Sequence, residues 1–160
     1  AVLQQNYAEV KTRFEESMRL HREVGDTWMV GLGHNNLGNA HRGLGEYDEA
    51  RSAYAAALAT YRAYDDQWAL AIIYEDVALL AGAVGAAESC LRLIGAADAL
   101  RERIGSPRAP DVQAQVDQAL DSVRPAIGAA FDTLLASGRE LDGTEADSEV
   151  LRVCRSGNGA

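Results

Sequence analysis

A repeat of about 40 residues runs through the first two thirds of the chain and constrains its fold more than any other feature. The segment Tyr7-Ala-Glu-Val-Lys aligns with Tyr47-Asp-Glu-Ala-Arg at this offset. The offset also pairs Asp26 with Asp66 and Trp28 with Trp68. Carried on once more, it aligns Gly45 with Gly85, Ala50 with Cys90, Ala57 with Ala97 and Asp66 with Ser106.

Each repeat carries two amphipathic helical patterns. Apolar side chains recur at spacings of four and three residues, which is one face of an α-helix. Two such series are Ala50, Tyr54, Ala57, Tyr61, Tyr64 and Leu70, Tyr74, Val77, Ala81, Val84. With no alternating β-branched run, the chain is predicted to be all-α, with helices over 6–24, 27–44, 47–64, 67–83 and 86–104.

Capping residues mark the predicted corners between helices. Asp26 and Asp66 stand at N-cap positions, and Gly45 and Gly85 stand where a left-handed residue ends a helix. At the third corner we expect Ser106 to cap the next helix, with Pro107 in its first turn.

The pattern changes after the third repeat. The apolar positions Val112, Val116, Leu120 and Val123 predict an amphipathic capping helix, which Pro125 should kink or end. We then expect a short helix over 129–137, stopped by Gly138, and another over 145–155, opened by Thr144 with Asp147 three residues on. The predicted organisation is repeats over 1–105, capping helices over 106–141, and a short helix with a flexible tail over 142–160.

The central repeat resembles a tetratricopeptide repeat. The matching consensus positions are Leu37, Gly38, Gly45, Tyr47, Ala50, Tyr54, Ala57 and Leu58. His34 and His41 depart from the pattern, since the family usually has Trp and Tyr there. The resemblance implies a right-handed α-solenoid of helical hairpins whose first helices line a concave, partner-binding face. It also implies that the first repeat is truncated to its second helix.

A second resemblance lies downstream. Leu93 to Pro107, followed by Phe131 and the segment Ser137-Gly-Arg-Glu-Leu141, is similar to the end of the repeat region in large bacterial regulators. Many of those proteins are LuxR-type transcriptional regulators with a signal-transduction ATPase domain. Together the two resemblances cover about residues 27–141. They imply that the chain is a fragment of a larger signalling protein.

Six polar residues are predicted to bind a ligand on the concave face. Asn35, Asn39 and Arg42 share one stripe of their helix, and asparagine can both donate to and accept from a peptide backbone. By resemblance, Asn36 matches a position that holds bound peptides in longer-period repeats. On the first helix of the following repeat, predicted over 67–83, the corresponding residues are Glu75 and Asp76. The alternative is that these amides are solvated or hydrogen-bond to neighbouring helices.

The acidic net charge of the chain argues against nucleic acid and anionic lipid as partners. The formal net charge of −9 gives no clustered basic surface for nucleic acid or for anionic lipid. We therefore expect a protein or peptide partner, or a small effector, with a basic or amphipathic helix fitting best. The two cysteines, far apart and in no metal or redox spacing, favour a reduced, cytoplasmic setting.

No catalytic, metal or cofactor site is predicted. His34 and His41 lie seven residues apart, too far along a helix to converge on one zinc ion. No lysine follows Gly38, as a phosphate-binding loop would require. We expect a non-catalytic sensor module. The alternative is a scaffold or oligomerisation segment that forms a homodimer through the N-terminal helix, where Val10, Phe14 and Met18 would be partly uncovered.

Overall fold

The computed structural model describes residues 2–155, and the side chains of residues 6–155. Within this range the chain is all-α and contains no strand, as predicted. The helices are α1 (Val2–Glu23), α2 (Thr27–Leu44), α3 (Tyr47–Ala63), α4 (Gln67–Ala83), α5 (Ala87–Ile104), α6 (Pro110–Ile127), a 3₁₀ turn (Gly128–Ala130), α7 (Phe131–Arg139) and α8 (Gly143–Arg155).

The described residues form two compact units. The first runs to Asp66 and also includes Cys154 and Arg155, and the second is Gln67–Val153. The boundaries predicted at residues 105 and 141 both fall in connections between helices. The division into repeats, capping helices and tail stays a prediction, and the tail over 156–160 lies outside the described residues.

In the first unit, α2 packs against both α1 and α3. Met18 is buried with Leu37 and Ala53, and the half-buried side chains of Phe14 and Val30 pack against this cluster. Gly33 permits the contact, because a Cβ atom there would overlap the Met18 side chain. The expectation that Met18 is partly uncovered is therefore wrong. Helix α2 supplies the surface that covers Met18.

In the second unit, α4 and α5 form a hairpin against which α6 packs, and α7 packs on α5. Α5 and α7 approach with their backbones almost in contact. A Cβ atom at Gly138 would overlap the backbone of Arg92, and one at Gly95 would overlap the backbone of Leu135. The prediction that Gly138 stops its helix is wrong, because this glycine lies inside α7 and serves the crossing.

The starts of α2 and α6 differ in how accurately the sequence predicted them. The Asp26 side chain accepts a hydrogen bond from the Met29 backbone N–H at 3.1 Å, which confirms it as the N-cap of α2. The third corner is longer than expected, since α6 begins at Pro110 and not beside Ser106 and Pro107.

The last helix also begins earlier than predicted. Α8 starts at Gly143, and its cap is Asp142, not Thr144. The Asp142 carboxylate accepts from the Glu145 N–H at 2.8 Å, and Glu145 accepts from the Asp142 N–H at 2.9 Å. This is a capping box, which satisfies backbone donors at the start of the helix.

Between residues 2 and 155, no helix combines the length and the apolar composition needed to cross a membrane.

Candidate functional site

The four predicted site residues on α2 lie in different environments within the first unit. Asn35 is buried, with 2% of its surface exposed. Asn36, Asn39 and Arg42 are half-buried. Because residues 35 and 36 point in directions about 100° apart on a helix, a change of one position moves a side chain from the interior to the surface.

Asn39 and Arg42 meet through the buried phenol of Tyr54. The Tyr54 hydroxyl donates to Asn39 Oδ1 at 2.7 Å. Arg42 Nε donates to the same hydroxyl at 3.1 Å, and Arg42 Nη2 donates to Asn39 Oδ1 at 3.4 Å. Gly38 makes room for the ring, because a Cβ atom there would overlap it. This network holds two candidate ligand-binding side chains in fixed positions.

In the second unit, Glu75 is enclosed by two arginines. It is 2% exposed. Arg101 donates to both of its oxygens, at 2.5 and 2.9 Å, and Arg108 donates through Nε at 2.7 Å. A buried carboxylate in this geometry is fully committed to internal pairing. Asp76, the next residue, is half-buried.

A cavity of about 330 Å³ adjoins this ion network. It is lined by both arginines and by Asp98, whose carboxylate pairs with Arg108 Nη1 at 2.6 Å. Sequence reasoning did not identify Arg101, Arg108 or Asp98. Their only signal was an unusual density of charge on both sides of the change in pattern at Gly105.

A second cavity, of about 450 Å³, lies in the first unit, between α2 and α3. It is lined by His34, His41, Asp48, Glu49, Ser52 and Ala53. His41 Nδ1 hydrogen-bonds to Glu46 at 2.5 Å, and this bond is the main cause that lowers the pKa of the Glu46 carboxyl. Burial, aided by the charge of Arg22, lowers the pKa of His34 and keeps its ring neutral at pH 7.

Two observations concern the metal-ligating side chains and the Cys90 thiol. Among the residues that the structure describes, no group of three or more His, Cys, Asp or Glu side chains could hold a metal ion. Burial raises the pKa of the Cys90 thiol to about 12, so this thiol stays protonated near neutral pH.

Comparisons with protein-family models, with curated proteins and with solved structures gave no match for this chain.

The six predicted residues thus fall into two groups. Asn36, Asn39, Arg42 and Asp76 retain surface exposure, whereas Asn35 and Glu75 are interior side chains. Ligand binding at the six residues stays a prediction. Any such binding depends on the four half-buried side chains, because only they reach the surface.

Proposed function

We propose that this chain is a non-catalytic binding module built as a tetratricopeptide-type α-solenoid. Its parent would be a multidomain bacterial transcriptional regulator or signalling ATPase, in which the module senses a peptide, protein or small effector. Occupancy of its binding face would favour one curvature of the helical stack over another and so reach the output domain.

One observation carries this proposal: left-handed backbone conformations recur every 20 residues. They occur at Gly25, Gly45, Asp65, Gly85 and Gly105, with φ of 74°, 78°, 47°, 82° and 65°. Each follows the end of a helix, where such a residue lets the chain reverse. Asp65 adopts this conformation although it is not glycine, which points to a constraint on the corner itself.

Helix starts follow the same spacing and support the repeat interpretation. Α2 begins at Thr27 and α4 at Gln67, while α3 begins at Tyr47 and α5 at Ala87. Solenoids are stacks of helical hairpins that have similar lengths and the same turn conformation. Each hairpin has one apolar side that needs a neighbour, and its first helix carries the polar residues proposed to meet a ligand.

A displayed library of random peptides can test the binding function. Peptides selected on the whole chain would be measured against Asn36→Ala and Asp76→Ala, with Asn6→Ala on the exposed side of α1 as the matched control. We expect at least one of the two site variants to weaken binding about fivefold or more, the loss of one or two hydrogen bonds. Failure to select any peptide, or equal affinity for all variants, would contradict the proposal.

A scaffold function is the alternative, and the exposed apolar surface at the C-terminal end of α1, including Val24 just beyond it, favours this function. Leu20 is 50% exposed and Val24 is 77% exposed. Light scattering after size-exclusion chromatography distinguishes the two. A dimer that becomes monomeric in Leu20→Ser/Val24→Ser would support self-association through α1, and a monomer in both cases would exclude it.

A further inference from the structure

Helix α8 meets the α4–α5 hairpin through three polar contacts. The Tyr74 hydroxyl donates to Asp147 at 2.8 Å, and the Ser89 hydroxyl donates to Glu149 at 2.6 Å. Arg92 lies 3.8 Å from the same Glu149 carboxylate. Ala146, Val150 and Val153 of α8 are buried. Within the second unit, the part of α8 up to Val153 is therefore an amphipathic helical segment docked on one hairpin.

The α2–α3 hairpin has residues at equivalent positions that surround an open cavity. Forty residues before Tyr74, Ser89 and Arg92 stand His34, Glu49 and Ser52. All three line the cavity of about 450 Å³ described above. The surface that α8 contacts in the second unit is thus matched, position for position, by residues that line a cavity in the first.

The two surfaces differ in charge. Where the α4–α5 hairpin presents Arg92 to an acidic helix, the α2–α3 hairpin has the uncharged Ser52. Where the α4–α5 hairpin presents Ser89, the α2–α3 hairpin has Glu49. Glu49 is exposed, and among the described residues it has no hydrogen bond or ion pair. Asp48 beside it pairs with Arg51 at 2.5 Å. The cavity therefore presents an uncompensated carboxylate.

We propose that this cavity binds an amphipathic helix of a partner protein that carries Lys or Arg where α8 carries Glu149. The basic side chain pairs with Glu49, and the helix lies over the cavity that His34, His41 and Ser52 line. The α8 of a second copy does not fit, because Glu149 would face Glu49. This surface is separate from the residues of the proposed function, so each can fail without the other.

Two synthetic peptides serve as probes. Both have the sequence of residues 143–155 with Cys154→Ser to prevent disulfide formation, and one also carries Glu149→Arg. Binding to the whole chain is measured by fluorescence anisotropy. We expect the Glu149→Arg peptide to bind about fivefold or more tightly than its acidic parent, the range of a partly desolvated charge pair.

A double variant of the protein locates the binding. Glu49→Ser/Ser52→Arg gives this cavity the chemistry of Ser89 and Arg92, and it should reverse the preference in favour of the acidic peptide. The control Ser137→Arg/Glu140→Ser makes the same two changes at the same spacing, at the exposed C-terminal end of α7 and its cap residue, and it should leave the preference unchanged.

Equal affinity of the two peptides for the wild-type chain would overturn the proposal. So would a preference that persists in Glu49→Ser/Ser52→Arg, since this would place the peptide elsewhere, for example on the part of the α4–α5 hairpin that α8 contacts. Circular dichroism of both protein variants checks that each retains its helical content.

Discussion

The ion network around Glu75 joins three segments of the second unit: α4, the end of α5 and the connection to α6. Glu75→Gln removes the charge that compensates Arg101 and Arg108, while the shape of the side chain is kept. We expect it to lower the free energy of unfolding by about 3 kcal/mol, because breaking a buried pair leaves an uncompensated charge. Urea denaturation provides the measurement.

Glu102→Gln is the matched control for this loss. Glu102 pairs with Arg139 at 2.5 Å, but the pair is solvent-exposed, and solvent screening should leave the unfolding midpoint nearly unchanged. Equal effects of the two substitutions would show that the Glu75 network contributes no more than a surface pair.

His34 should make the stability of the first unit dependent on pH. Because its pKa is lowered in the folded state, the unfolded chain takes up the proton first as the pH falls below the ordinary value of 6.5. Stability should therefore decrease between pH 7.5 and about pH 5.5. His34→Gln should reduce this decrease. An identical decrease in the variant would contradict the assignment.

The Glu46 carboxyl affects stability in a lower pH range than His34 does. Its lowered pKa contributes stability that is lost only as the pH falls below 4.5. Measurements that stop at about pH 5.5 therefore report on His34 and leave Glu46 ionised.

Individual site residues were the least predictable part of the molecule. Asn35 and Glu75 were expected on a binding face, and both are interior. The partners of Glu75 come from residues 26 and 33 positions downstream. The periodicity of a single helix contains no information about such distant partners, and it shows only that a polar residue shares a stripe with its neighbours.

At the level of helices, the crossing of α5 and α7 depends on two glycines. Gly138→Ala should destabilise the chain by about 1–3 kcal/mol, because its methyl group meets backbone atoms that cannot move independently. Thermal unfolding followed by circular dichroism measures the change.

Gly82→Ala on α4 is the matched control, since a Cβ atom there lies at ordinary contact distances of 3.6 Å from Cys90 and 3.7 Å from Val123. It should stabilise the chain by about 0.5–1 kcal/mol through the higher helix propensity of alanine. A stabilising Gly138→Ala would mean that α5 and α7 do not approach as closely as described.

Helix boundaries were more predictable than side-chain environments. The bounds of α2 and α4 were predicted without error, because turn residues and apolar periodicity mark the same points. The α7 prediction failed at Gly138 for a physical reason. A glycine can end a helix or permit close packing, and the choice depends on Gly95 in another helix.

For the chain as a whole, we propose that the segment from Thr27 to Asp66 is a stacking unit. A true repeat can be duplicated, because a second copy buries its apolar sides against the hairpins before and after it. This property separates a solenoid from a bundle whose helices form one closed core.

The most direct measurement is the unfolding of a chain in which residues 27–66 are inserted a second time after Asp66. We expect a folded protein with the same helical signal per residue, a single unfolding transition and a midpoint no lower than that of the parent. Insertion of residues 106–145 at the same point is the control of equal length, and it should not fold cooperatively. Aggregation, or separate unfolding of the duplicated segment, would contradict the claim.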